Sequence, residues 1–230
     1  MIAKKQQLDM CGIRKVLLIS VVNIILLALA SNSSFAAWTK QLIDGKQFSN
    51  MSSRSIVLEK NTNFPHVVYG KTQLFHAYFN GSSWKTQIVD RTPDVGEYAS
   101  IALDQNNNVH ISYYSSANGN LKYASNVSGS WVTKILDSVG DVGQYSSIAV
   151  DSAGKVHISY YDVTNGNLKY ISNDASGSWI KQIVDRVDDV GKFSSLAVDS
   201  AGKVHISYYD VTNGNIRFFR KKVEMRIRGS

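Results

Sequence analysis

From residue 38 onward the apolar positions of this chain come in short runs, six or seven residues long, mixed with Ser and Tyr and ended by Gly, Asn or Asp. No stretch there carries a helical apolar period of about 3.6 residues. The pattern therefore predicts strands and tight turns throughout. In the clearest stretch SSIAVD (146–151) is followed by the turn Ser152-Ala153-Gly154-Lys155 and by VHISYYD (156–162). A second turn over 163–167 leads to NLKYISN (167–173), and DASGS leads to WIKQIVD (179–185). A run of another kind comes first: VLLISVVNIILLALA, residues 16–30, is apolar and uncharged.

The strand pattern repeats. Trp recurs at Trp38, Trp84, Trp131 and Trp179, and His at His66, His110, His157 and His205. The unit DVGQYSSIAVDSAGKVHISYYDVTNGNLKY from Asp141 returns as DVGKFSSLAVDSAGKVHISYYDVTNGNIRF from Asp189. The unit from Asp94 is a looser copy, and residues 45–83 diverge most. Four short strands in each unit of about 47 residues is the grammar of a β-propeller blade.

The repeated Trp-led run ending in Asp, with D-V-G-x-[YF]-S-S-[IL]-A-V-D and V-H-I-S-Y-Y-D-x-T-N-G-N-[LI], resembles the blade repeat of secreted bacterial β-propeller proteins across residues 38–219. The resemblance implies an all-β fold and leaves activity open, because propellers host lectins, hydrolases, lyases and scaffolds. The Trp-Asp pair of WD repeats is missing, as is the Ser-x-Asp-x-Gly-x-x-Trp box of sialidases. With strands ordered A to D from the axis outward, the series begins on a D strand, WTKQLID (38–44), and ends on a C strand, NIRFFR (215–220). The expected architecture is four blades of four antiparallel strands: 55–90, 99–137, 146–185, and 194–220 completed by 38–44. Such a clasp removes an exposed sheet edge. A half-ring that pairs with a second copy and a fragment of a larger propeller are the competing arrangements.

Composition changes the picture mainly at the two ends. Lys4, Lys5, Arg14 and Lys15 precede the apolar run, and SNSSFAA follows it. Charged start, apolar middle and small-residue exit predict a secretory signal peptide over 1–36, and hence a secreted or periplasmic protein. The sole cysteine, Cys11, lies within that segment, which excludes a disulfide scaffold. The formal charge of +7 suggests nucleic acid at first sight. Residues 1–36 carry +3 of it and residues 220–230 carry +4, which leaves zero for 37–219. A nucleic-acid partner is therefore not expected, nor a membrane partner once the signal is removed. Residues 221–230 form a basic tail.

Candidate chemistry gathers on one end of the blades, where D-to-A and B-to-C loops meet. Asp94, Asp141 and Asp189 lie on the first set, and Tyr114, Tyr161, Asp162, Asn165, Tyr209, Asp210 and Asn213 lie on or beside the second. Tyr rings offer flat apolar surfaces to sugars, while Asp and Asn hold hydroxyls. The expectation is a binding module for carbohydrate or another surface polymer, monomeric or homodimeric. Thr-Asn-Gly-Asn is equally good hairpin chemistry, and near-identical copies serve packing. The Asp-rich loops have oxygen ligands suited to Ca²⁺ but lack the density of a calcium loop, so no cofactor is expected. The strand-B histidines point to different blades and read as hydrogen-bonded packing residues rather than a metal site. A polysaccharide hydrolase or lyase is the alternative, as is a non-binding scaffold. No catalytic residue is assigned; a unique site would lie among the unrepeated His76, Arg54, Glu59 and Lys71 of the first blade.

Overall fold

The computed structural model describes residues 39–44 and 55–220. The expected signal segment, Trp38, Arg54 and the basic tail 221–230 lie outside the described residues. The chain divides into two units, Met1–Leu42 and Ile43–Ser230. In the first, residues 39–42 carry no regular secondary structure; every strand among the described residues belongs to the second.

That second unit is a series of antiparallel meanders. The first comprises β1 (Ile56–Leu58), β2 (Pro65–Gly70), β3 (Leu74–Phe79) and β4 (Trp84–Asp90). The second comprises β5 (Val95–Leu103), β6 (Val109–Ser115), β7 (Asn120–Ser125) and β8 (Val132–Asp137). The third comprises β9 (Val142–Val150), β10 (Val156–Asp162), β11 (Asn167–Asn173) and β12 (Trp179–Asp185). The fourth comprises β13 (Val190–Val198), β14 (Val204–Asp210) and β15 (Asn215–Arg220). Strand order follows chain order in each sheet: three sheets have four strands, and the last has three among the described residues. The fold is thus all-β with repeated four-stranded sheets, as the repeat predicts.

The alternation of side chains explains which strand goes where. VHISYYD is buried along its whole length in β10, because a middle strand of a stacked sheet is covered on both faces. WIKQIVD in β12 is exposed over Ile180–Lys181–Gln182–Ile183, as an outer strand must be. The inner strands stack in the order β5, β9, β13, with β1 and β2 against β5. The cores lie between successive sheets: Val95, Ile101, Ile111 and Tyr113 belong to one cluster with Val68 and Leu74 of the preceding sheet. The next boundary has Leu121 with Val142, Ile148 and Ile158, and the last has Leu168 with Val190, Leu196 and Ile206.

Hydroxyls tie the sheets together where the apolar pattern does not. Ser146 Oγ donates to Tyr98 O at 3.0 Å and meets Ser112 Oγ at 2.9 Å. Ser194 repeats this on Tyr145 O and Ser159 Oγ, both at 2.9 Å. Ser100 Oγ and Ser147 Oγ accept from the Ile148 and Leu196 amides of the following sheet. The Ser-Ser pair of the repeat is therefore boundary chemistry, and it satisfies polar groups that stacking would otherwise bury unpaired.

Candidate functional site

The strand-B tyrosine pairs serve two different boundaries. The first tyrosine of each pair is buried and donates to the Asp that ends the previous outer strand. Tyr113 donates to Asp90 (2.7 Å), Tyr160 to Asp137 (2.8 Å) and Tyr208 to Asp185 (2.8 Å). In the first sheet Tyr69 donates to Asp44 at 2.7 Å, so residue 44 plays the same part. Burial, then the adjacent carboxylate, pushes the Tyr113 and Tyr160 hydroxyls well above their ordinary pKa.

The same carboxylates hold cations from strand C. Lys122 bonds Asp90. Lys169 bonds Asp137 at 3.2 Å and Asp162 at 2.9 Å, and Lys181 also reaches Asp137. Arg217 bridges Asp185 and Asp210 at 3.0 and 2.6 Å. Burial works against the charge on Asp90, but hydrogen bonds from Lys122, Thr92 and Tyr113 bring its pKa down to about 2. Likewise Asp162 and Asp137 overcome burial and hold Lys169 above its ordinary value.

The second tyrosine reaches forward. Tyr114 donates to Asp141 (2.7 Å) and Tyr161 to Asp189 (2.6 Å). Thr164 and Thr212 hydroxyls accept from the Asp141 and Asp189 amides. Asn165 and Asn213 are exposed, and their amides hold Asp162 and Asp210. Asp162 and Asp210 are buried, Asp141, Asp189 and Tyr209 are half-buried, and Asp94 is exposed. All ten residues thus gather on the expected end of the blades. Tyr114, Tyr161, Asp141 and Asp189 spend their polar atoms on joining one blade to the next.

What that end presents is a feature the sequence did not single out. Tyr98, Tyr145 and Phe193 sit at bulges in β5, β9 and β13, where the ladder register slips. Their φ angles are 51°, 52° and 54°, a left-handed conformation that costs a side-chain-bearing residue about 1–2 kcal/mol. The bulges bring the three rings into one row. Successive rings approach to 4.6 Å, first Tyr98 to Tyr145, then Tyr145 to Phe193. Behind them stand Tyr114, Tyr161 and Tyr209, 6.0–6.3 Å away. Burial and the neighbouring Tyr145 push the Tyr98 hydroxyl up to about 12. Tyr98 and Tyr145 are half-buried and Phe193 is exposed, and the same strained conformation recurs in three blades, which makes this row of rings the candidate surface. The only hint in the sequence is an aromatic directly after Val-Gly-x, where an inner strand would otherwise take a small residue.

The opposite end carries the histidines, and they hydrogen-bond within their blades as expected. His157 Nδ1 meets Tyr170 Oη (2.6 Å) and Nε2 meets Asp151 (3.1 Å). His110 pairs with Tyr123, and His205 with Asp199. The first blade departs from this, and the unrepeated residues explain how. Glu59 replaces Asp and His76 replaces Tyr: His66 contacts Glu59 Oε1 and His76 Nε2, each at 3.0 Å. Gln87 lies beside His76 and accepts the Trp131 indole N–H at 3.0 Å. A shallow pocket of about 210 Å³ at this end is lined by Lys60, Asp104, Gln105, Asp151 and Asp199 among others. Among the described residues no group of three or more His, Cys, Asp and Glu is placed to hold a metal.

His76 is only 2% exposed, and burial, then the nearby His66, lowers its pKa to about 3. In the unfolded chain a histidine takes its proton near pH 6.5. Stability contributed by neutral His76 is therefore complete above pH 6.5 and is lost as pH falls from there toward 3. The loss amounts to about 2–3 kcal/mol at pH 4.5. His76→Tyr, which restores the residue type of Tyr123 and Tyr170, is expected to flatten the decline in melting temperature between pH 7 and 4.5. Equal declines in both proteins would contradict this account of the site.

Comparison with known proteins bears on the fold. No protein-family model matches the chain, and no curated protein matches it in sequence. Solved structures do. A protein of unknown function from Dyadobacter fermentans is 15% identical with a TM-score of 0.58, over 82% of this chain and 60% of that one. The NanB sialidase of Streptococcus pneumoniae is 13% identical with a TM-score of 0.54, over 73% and 30%. An ulvan lyase, a polysaccharide lyase, is 14% identical with a TM-score of 0.51, over 79% and 58%. This chain therefore spans less than two thirds of each of them. The likeness establishes a propeller-like all-β fold.

Proposed function

We infer that the chain is an exported carbohydrate-binding module whose ligand lies on the Tyr98–Tyr145–Phe193 end of the blades. The observation that carries this reading is the ladder of touching rings held at positive φ. A row of aromatic faces suits the apolar faces of sugar rings, and the exposed rim residues Asp94, Asn165 and Asn213 suit their hydroxyls. Tyr114, Tyr161, Tyr209, Asp141, Asp162, Asp189 and Asp210 shape this surface from behind. One ring on each of three successive blades provides several weak contacts along a polymer, which favours an extended ligand over a single sugar. The sialidase and the ulvan lyase, both carbohydrate-active by their descriptions, agree with this ligand class. The apolar segment 16–30 supports export. An outer strand WTKQLID on the fourth blade belongs to the same reading. A glycan array probed with wild type and with Tyr145→Ala tests it: binding by the first and loss in the second is expected.

A further inference from the structure

Among the described residues nothing covers one side of the fourth blade. Ile216 is 84% exposed and Phe218 65%, as is Phe193 at the end of the aromatic ladder. Their counterparts one repeat earlier, Leu168 and Tyr170, are buried by the following blade. NLKY and NIRF present nearly the same surface, so what covers the first is the kind of surface that fits the second.

The first blade shows what that covering surface is. At each boundary among the described residues, the last two side chains of an outer strand reach the next blade: Val89 and Asp90, Leu136 and Asp137, Val184 and Asp185. Ile43 and Asp44 hold this position on the first blade. Ile43 packs against the cluster of Val67, Tyr69, Phe75 and Ala77, and Asp44 accepts the Tyr69 hydroxyl. The first blade is thus prepared for a blade behind it that takes its outer strand from residues 39–44. Among the described residues β13–β15 is the three-stranded sheet, and such a strand would complete it.

We propose that the fourth blade of one copy docks on the first blade of a second copy, which inserts its residues 39–44 beside β15. Two such contacts close a dimer. A second copy is favoured over closure within one chain because the internal boundaries have no slack. A Cβ on Gly143 or Gly191 would lie 2.7 or 2.8 Å from a Leu Cα of the preceding blade. Stacked at that spacing, β13 and β1 make no substantial contact among the described residues. Closing four blades on themselves would re-angle three tight boundaries; a second copy uses them unchanged.

The register follows from the third blade, where Leu168 faces Asp185 and Tyr170 faces Gln182. Transposed by one repeat, Ile216 of one copy faces Asp44 of the other, and Phe218 faces Gln41. The full chain, expressed with its leader and carrying Cys11→Ser, is made in two forms, Gln41→Cys and Phe218→Cys. Light scattering on the parent is expected to give twice the mass of one chain. Oxidation is expected to cross-link the two forms when mixed and neither form alone. Ile216→Asp is expected to halve the mass while keeping the strand signal in circular dichroism. A parent with the mass of one chain, a dimer that Ile216→Asp leaves intact, or a dimer whose mixed forms do not cross-link would each overturn the proposal. So would a doubly substituted chain that bridges internally and migrates as a single chain. None of these results depends on carbohydrate binding.

Discussion

Lys169→Met lowers the melting temperature by about 6–20 °C. Lys169 is the ammonium shared by Asp137 and Asp162, whose side chains are both fully buried. Replacing it by an isosteric apolar chain removes one partner of a buried ion pair and leaves the carboxylates behind, which costs about 3–5 kcal/mol. In a protein of this size each kcal/mol shifts the midpoint by about 2–4 °C. Lys181 still reaches Asp137 at 3.0 Å, so the stranded group is chiefly Asp162, left with the Asn165 amide. The chain itself contains the compensated versions. Where Asp162 stands, the second blade has Ser115 beside a Lys122 that serves Asp90 alone. The first blade has Gly70 and Phe75, with neither acid nor cation. Lys169→Met with Asp162→Ser is therefore expected to recover part of the loss, as calorimetry on the single and double variants would show. Equal melting of the double and single variants would mean that the cost lies elsewhere.

Gly143→Ala costs about 2–5 kcal/mol, summing a positive φ that L residues resist with overpacking of a tight boundary. Gly143 has φ 113°, and a Cβ there would meet Leu121 Cα at 2.7 Å and Leu121 N at 2.9 Å. Neither atom is the flexible end of a side chain, so the two blades must part. Gly154 separates the two contributions. It lies in the turn between β9 and β10 at φ 78° with nothing within 4 Å of an added Cβ. Gly154→Ala is expected to cost only the backbone part, about 1–2 kcal/mol. Urea titration of the two variants side by side measures the difference; comparable midpoints would show that the boundary yields more easily than its geometry implies.

The blade was legible in the sequence because its signals are local. VHISYYD, NLKYISN and WIKQIVD coincide with β10, β11 and β12, since β-branched and aromatic runs between Gly and Asn turns define both ends of a strand. β9 begins at Val142, four residues before SSIAVD, because the strand passes through the bulge at Tyr145 and re-pairs beyond it. The aromatic after Val-Gly-x is a weak signature of a positive φ, so the ladder does not emerge from the local pattern although its residues stand in the repeat. The Tyr-Tyr-Asp cluster was legible as a cluster and ambiguous in role. Tyr160 and Tyr161 are adjacent and alternate between faces, so one reaches back to Asp137 and the other forward to Asp189. Partners 23 and 28 residues away belong to the stacking of blades, which no local pattern encodes. In the first blade the unrepeated Glu59 and His76 both contact His66.

The ladder as a sugar platform is tested most directly by titrating a glycan recovered from the array into wild type, Tyr145→Ala and Tyr145→Phe. Phe193 already serves this position in the fourth blade, so the Phe variant should bind like wild type. Tyr145→Ala, folded by circular dichroism, should lose at least about tenfold in affinity, the worth of one stacked ring. A glycan that binds all three proteins equally, or an array on which wild type binds nothing, would contradict the account.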